Sequence, residues 1–362
     1  MSETILIAPN PSQYHAPIYR EINRLNNDFE VFFLKENPIS LRFSQSDSKS
    51  IGIDMLSGYK SRSYAKAKNS NMAILVDIIK IKPKKVIITG YNNIIFFLSP
   101  ILRAFGVKLY WRGEVYHEFV GAKGWLKKMV LSVYFLFYNK LILSTKRAIS
   151  IMEDVVSKGS IDYLPCCVDD DYFYSRYKNR ILEKEKIKLS LGIKGKWVIN
   201  ATCRLSHEKN VERMIDIMSF MQSDDIELVI IGDGDLKDIL KEKVRMKNLT
   251  NVSFFGFKNQ NEICDFYTIS DFSINISHWD YSPKAMAESL HFGLVPIYNE
   301  NIGTYDEVRD ICNGVFISNS LSLEECASKI RAYTYDTIIN RDEIAHNSTK
   351  YTPRNVSRTS LI

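Results

Sequence analysis

The chain alternates short, mostly apolar runs with stretches in which apolar residues recur every three or four positions. The β-rich runs fall at 4–8, 30–34, 86–89, 107–111, 141–144 and 161–164. Between most of them lie helical stretches, such as 16–25 and 72–81. Strands apolar on both faces must be covered on both faces, so this β-α-β rhythm predicts a parallel sheet sandwiched by helices.

The second half repeats the rhythm more clearly. It predicts strands at 197–202, 227–231, 252–255, 272–276 and 294–298. Helices are predicted at 211–220 (capped by Asn210), 236–247, 262–270, 283–292 and 304–310. The segment 174–187 is charged and lacks a strand, so it reads as a linker. The Ser/Asp/Lys-rich stretch 43–68 reads as a loop. The expected architecture is α/β, with two doubly wound domains in series at 1–178 and 188–332 and a weakly patterned tail at 333–362.

Composition is consistent with this reading. A chain of 362 residues exceeds one ordinary core. Its 45% hydrophobic and 25% charged residues are ordinary for a globular protein. The longest apolar run, 129–138, is about half of what a membrane span needs. The N-terminus reads as an opening strand instead of a signal peptide. Six cysteines without C-x2-C pairs suit a reduced, cytoplasmic setting better than a disulfide framework or zinc site.

Charge changes the picture. Residues 1–180 hold 26 Lys+Arg against 16 Asp+Glu, about +10, and the rest hold 22 against 26, about −4, giving the net +6. A basic first half predicts an anionic partner, with lipid headgroups and nucleic acid as the two classes. No nucleic-acid-reading motif accompanies the charge, which counts against nucleic acid.

In open parallel sheets ligands bind beyond the carboxyl ends of the strands, so the loops there are where chemistry is sought. The segment 278–297, HWDYSPKAMAESLHFGLVPI, carries the richest set. Ser282 and Pro283 read as N-cap and first helical residue, and the first-turn amides there form an anion site to which Lys284 adds charge. Asp280 lies just before this cap, and Glu288 lies roughly 7–8 Å along the helix. Carboxylates on either side of a helix N-terminus suit a phosphate-centred ligand with sugar hydroxyls at both ends. In ATCRLSHEKNVERM, Arg204 and Lys209 flank the loop after a strand, where two cations could neutralise a pyrophosphate without a metal.

RLSHEKN together with D-x7-E and SLHFGLVPI resembles the retaining glycosyltransferases of family 4, over residues 195–320. The resemblance implies two Rossmann-like domains facing across a cleft, the GT-B fold, with the tail returning toward the first domain. It implies that Glu288 holds ribose hydroxyls, Asp280 holds the donor sugar, and Arg204 and Lys209 bind the diphosphate. The backbone at Gly256, Phe257 and Lys258 would contact the base. Gly293, Val295 and Pro296 match the family's strand entry. Two departures stand out: Asp280 replaces the usual Glu, one methylene shorter, and the loop PNPSQYH lacks the paired glycines common there. The acceptor side is sought at Tyr14, His15, Arg112, Glu114 and His117.

Bland alternatives remain at several positions. Gly232-Asp233-Gly234 reads as a tight strand-to-helix turn, since Lys237 stands where a dinucleotide fingerprint needs a third glycine. Asp169–Asp171 reads as an interdomain segment, because adjacent carboxylates rarely converge on one ion. His207 and His278 read as peripheral to the donor loops. The stretch 123–147 mixes lysines with aromatics: Trp125, Lys127 and Lys128 suit a membrane surface, while most of 130–137 reads as core.

The reading is a metal-independent retaining glycosyltransferase with no cofactor, using a UDP- or GDP-sugar and a glycan or lipid-linked acceptor. Its expected role is in bacterial surface polysaccharide or lipopolysaccharide assembly, at the inner face of the cytoplasmic membrane. The principal alternative is a non-catalytic nucleotide-sugar-binding or scaffold protein of the same fold. A phosphorylase or epimerase of that fold and a nicotinamide-dependent dehydrogenase are the other rivals.

Overall fold

The computed structural model describes residues 3–36, 54–91, 94–115, 118–222, 225–336 and 338–361. They form two compact units, the first running to Cys166 and taking in Pro353–Ile362, the second spanning Cys167–Thr352.

The first unit holds β1 (Thr4–Ala8), α1 (Ala16–Leu25), β2 (Phe29–Phe33), β3 (Lys60–Ser63), α2 (Ser70–Ile81) and β4 (Lys85–Thr89). These are followed by α3 (Ile94–Ala104), β5 (Lys108–Gly113), α4 (Gly121–Phe135), β6 (Lys140–Leu143), α5 (Lys146–Glu153) and β7 (Ile161–Tyr163). The seven strands are parallel, in the order β3-β2-β1-β4-β5-β6-β7. All five residues of β1 and of β2 are buried, Thr4 and Glu30 among them, as strands covered on both faces require.

Local signals set the helix starts. Asn69 accepts from the Met72 amide at 3.2 Å to cap α2, and Thr145 accepts from the Ala148 amide at 3.0 Å to cap α5. Pro17 opens α1, where a missing N–H costs nothing. After β5, a Cβ on Gly113 would lie 2.1 Å from the Trp111 ring, so glycine is what lets that indole fold back into the core.

The second unit begins with α6 (Asp170–Arg180) and α7 (Lys184–Ser190), then alternates β8 (Trp197–Thr202), α8 (Val211–Met218), β9 (Ile226–Ile231), α9 (Lys237–Met246), β10 (Val252–Gly256) and α10 (Ile263–Ile269). It continues with β11 (Phe272–Asn275), α11 (Lys284–His291), β12 (Val295–Tyr298), α12 (Tyr305–Ile311), β13 (Val315–Phe316), α13 (Leu323–Asp336) and α14 (Arg341–Ser348). Its six parallel strands run β10-β9-β8-β11-β12-β13. The order reverses between β1 and β4 in the first sheet and between β8 and β11 in the second. These are the switch points where loops diverge and leave a crevice.

Several expectations need correction. The boundary falls at Cys166–Cys167, earlier than 178, and the expected linker 174–187 is largely helical, within α6 and α7 of the second unit. Asp169 accepts from the Tyr172 amide at 3.1 Å and caps α6, so the aspartate triplet starts a helix. Of the 43–68 loop, the described part contains β3, an edge strand with no apolar signal. It is recruited through backbone pairing and through Arg62, which meets Glu30 at 3.2 Å and lies over the Phe32 ring. Its charge suits an open edge. The tail divides: α14 stays in the second unit, while the Ser360 amide donates to Asp162 at 2.7 Å in the first.

Candidate functional site

The loops leaving the switch point of the second sheet carry the candidate residues. The β8–α8 loop holds Arg204 and Lys209, and the β11–α11 loop holds Asp280, Ser282 and Pro283. Glycines shape the neighbouring β9–α9 turn. A Cβ on Gly232 (φ +144°) would sit 1.8 Å from the Cys203 carbonyl oxygen, and one on Gly234 (φ +157°) 2.5 Å from that of Leu205. The Leu205 amide donates to Asp233 at 2.9 Å, and the Leu236 amide donates to Leu205 at 3.0 Å. The Gly-Asp-Gly triplet thus makes a tight turn laced to the loop that carries Arg204 and Lys209.

Lys209 and Asp280 meet directly, with Nζ 2.7 Å from Oδ2, at side-chain exposures of 17% and 13%. Asn275, at the end of β11, donates to the same oxygen at 2.9 Å. Arg204 instead pairs with Glu208 at 3.0 Å on the outer side of the loop. Both cations therefore have a carboxylate partner. The stacked rings of His207 and His278, 5.0 Å apart, close this edge, and the His278 amide donates to the Glu208 carbonyl at 2.9 Å.

Glu288 lies deeper on α11, 4% exposed. Gln260 donates to its Oε1 at 2.9 Å and Tyr267 to its Oε2 at 2.8 Å. Burial pushes its carboxyl up to about 7, against the pull of these two donors and of Lys284. Gln260 belongs to the loop after β10, so it ties Glu288 to Gly256, Phe257 and Lys258. That loop opens on an irregularity: the register against β9 slips between Phe254 and Gly256, and Gly256 takes φ +69°. Phe257 is exposed, and Lys258 faces Glu262 at 3.8 Å.

Two capping expectations are corrected. α11 begins at Lys284 with Pro283 as its N-cap, so Ser282 does not fill that role and no side chain caps the first turn. Asn210 takes φ +52° and its side-chain amide donates to the carbonyl of Ile276, just past β11, at 3.2 Å instead of capping α8. In neither helix does a side chain cap the first turn.

Sequence reading missed the partners. Gln260, Tyr267, Asn275 and Glu208 are separated from the residues they hold by up to 28 positions, and only Glu208, four residues from Arg204, carries a local signal. Next to Glu288, His291 is buried with Nδ1 2.8 Å from the Ala287 carbonyl, and burial pushes it down to about 4.

In the first unit, Tyr14 and His15 lie on the loop after β1, with His15 at the start of α1 and its ring 6.1 Å from that of Tyr19. Arg112 is the fifth residue of β5, close enough to buried Tyr19 to act on its hydroxyl, and Glu114 follows that strand. These candidates leave the carboxyl ends of β1 and β5, on either side of β4. His117 lies outside the described residues.

Two Rossmann-like units, each with its candidate residues at the carboxyl edge of a parallel sheet, define a chain of GT-B architecture. Residues 183–351, all within the second unit, match the family model of the Glycosyl transferases group 1. A curated relative, Glycogen synthase 2 of Geobacter metallireducens, is 26% identical over 148 residues, which is 40% of this chain and 30% of the relative. The chain thus matches less than a third of that relative's length. A solved glycosyltransferase from Rickettsia africae superposes with a TM-score of 0.73 at 14% identity, covering 98% of this chain and 95% of that one. Anabaena HepE in complex with UDP-glucose superposes at 0.65 and 13% identity, covering 99% and 95%. The lipopolysaccharide outer core galactosyltransferase WaaB gives 0.69 at 13% identity, covering 99% of each chain.

Proposed function

We propose that the protein is a retaining glycosyltransferase of family 4 that moves a hexosyl group from a nucleoside-diphosphate sugar to a glycan or lipid-linked acceptor. The observation that carries this reading is the convergence of the Arg204–Lys209 loop and the Asp280–Glu288 segment on one switch point of a glycosyl transferases group 1 domain. The likeness to HepE, solved with UDP-glucose, supports a nucleotide-sugar donor.

In this function Glu288 accepts from the ribose hydroxyls with the lone pairs that Gln260 and Tyr267 leave open. The base lies against Gly256, Phe257 and Lys258. Arg204 and Lys209 turn from their carboxylates to the diphosphate, aided by Lys284 and the first-turn amides behind Ser282 and Pro283. Asp280, released by Lys209, takes the donor-sugar hydroxyls. The leaving diphosphate, stabilised by two cations and needing no metal or cofactor, helps accept the acceptor proton from the same face. The acceptor is assigned to Tyr14, His15, Arg112, Glu114 and His117.

The pathway is bacterial surface polysaccharide or lipopolysaccharide assembly, at the inner face of the cytoplasmic membrane. The likeness to WaaB and the basic first half support it. The test is a thermal-shift and hydrolysis screen against UDP- and GDP-sugars, with Glu288→Ala and Arg204→Ala alongside. Stabilisation by one nucleotide class, with slow diphosphate release that both variants lose, is the expected result. Folded protein stabilised by none of them overturns the donor site and favours a scaffold role.

A further inference from the structure

The first unit presents an apolar surface made by two helices. On α3, Ile94, Phe97 and Ile101 are exposed, and Phe105 follows them just past its end, at spacings of three and four residues that form one narrow stripe. On α4, Trp125, Leu126, Met129, Val130 and Val133 are exposed, and Leu136 and Phe137 extend the face beyond the helix end. The two faces join where the Phe97 ring meets that of Tyr134 edge-on at 5.5 Å. Leu131 and Phe135 of α4 are buried in the core and Tyr134 packs against it, while Val130, Val133, Leu136 and Phe137 are exposed, so the expectation that most of 130–137 is core is corrected. Phe97 is 48% exposed, Trp125 61% and Leu136 81%, far more than folding requires.

The stretch of sequence that carries this surface is one-sided in charge. Residues 78–152 contain thirteen Lys and Arg against two acids, Glu114 and Glu118. Lys127 stands beside the face, its Nζ 3.1 Å from the Tyr91 hydroxyl and above that ring, and Lys128 reaches Asp154 only at 3.8 Å. Among the described residues no helix is long and apolar enough to cross a membrane. Exposed aromatic and aliphatic side chains with Lys127 and Lys128 on the same helix match the two layers of an anionic lipid surface, acyl boundary and headgroup.

We infer that the α3–α4 face seats the protein on an anionic lipid surface, with Phe97, Trp125, Leu126 and Val133 entering the acyl boundary and the lysines contacting headgroups. The inference rests on the membrane-side acceptor reading above. It adds α3, which has no basic-aromatic signature in the sequence.

The test is sedimentation of the full chain with vesicles of phosphatidylcholine, with and without about one-third phosphatidylglycerol. Three proteins are compared: wild type, Leu126→Glu/Val133→Glu, and a control, Leu182→Glu/Leu189→Glu, which places the same charge on exposed positions of the second unit. Wild type and control are expected to bind the anionic vesicles, with a blue shift of tryptophan emission that a Trp125→Phe variant loses. The α4 variant should lose at least about tenfold in partitioning at an unchanged melting temperature. No binding by wild type, or equal binding by all three, overturns the inference. So does a dimer that the α4 variant converts to monomer while vesicle binding persists, which would assign the face to a second copy. No nucleotide-sugar enters this assay, so a failed donor site and a failed lipid surface are read separately.

Discussion

The Lys209 ammonium lies 2.7 Å from the Asp280 carboxylate, joining the loops after β8 and β11 across 71 residues of sequence. Both side chains are mostly buried, so each depends on the other for compensation of its charge. In the proposed function this pair must open before diphosphate and sugar can take its place. The shorter Asp280 thereby bears on donor affinity through its pairing as well as its reach.

Removing either partner leaves the other charge partly desolvated. Lys209→Met or Asp280→Asn is expected to cost about 1–3 kcal/mol in denaturant unfolding, with the double variant recovering part of it. A double variant as unstable as the sum of the singles would show that the two do not interact.

Two buried groups on α11 act on stability in opposite directions. Glu288 is raised from 4.5 to about 7, so the folded state holds a proton that the unfolded chain releases. Its contribution is full below pH 4.5 and is lost as pH rises toward 7. His291 is lowered from 6.5 to about 4, so the unfolded chain binds the extra proton and stability falls as pH drops from 6.5 toward 4. Each is worth up to about 3 kcal/mol, and together they flatten the profile between their ordinary values. Glu288→Gln should leave a stability that rises with pH over this window, and His291→Gln one that falls. Chemical melts at three pH values suffice, and unchanged slopes in both variants would refute the assignment.

If ionised Glu288 holds the ribose, UDP should bind more tightly as pH rises through 7, by up to about tenfold per unit below that value. Tyr267→Phe removes a donor that favours the charged form. Titration calorimetry should place its midpoint at higher pH, with affinity at neutral pH reduced about tenfold. A weaker but pH-independent affinity would point instead to a packing defect.

Gly232→Ala introduces a Cβ against the Cys203 carbonyl at a φ that side chains rarely adopt. A loss of about 2–4 kcal/mol is expected, measured by thermal or denaturant melting. A near-neutral effect would mean that the β9–α9 turn can move away from the β8–α8 loop.

The sequence determined much of this protein without help from its tertiary structure. The largely apolar runs at 4–8 and 227–231 read as central strands, and apolar residues at helical spacing on 16–25 and 211–220 read as facing a core. Local pattern therefore predicted two parallel-sheet units, and the strand-end rule singled out Arg204, Lys209, Asp280 and Glu288. Tertiary structure decided what pattern cannot encode. Edge strand β3 forms through backbone pairing with β2, although its own residues are polar. Asn210 and Ser282 have the composition of caps, yet the helices they precede lack side-chain caps and Asn210 bonds toward β11. Above all, which groups hold Glu288 and Asp280 depends on chain segments brought together by the sheet order β10-β9-β8-β11. Hydrogen bonds and ion pairs act over about 3 Å, whatever the separation in sequence, and only the folded chain sets those distances.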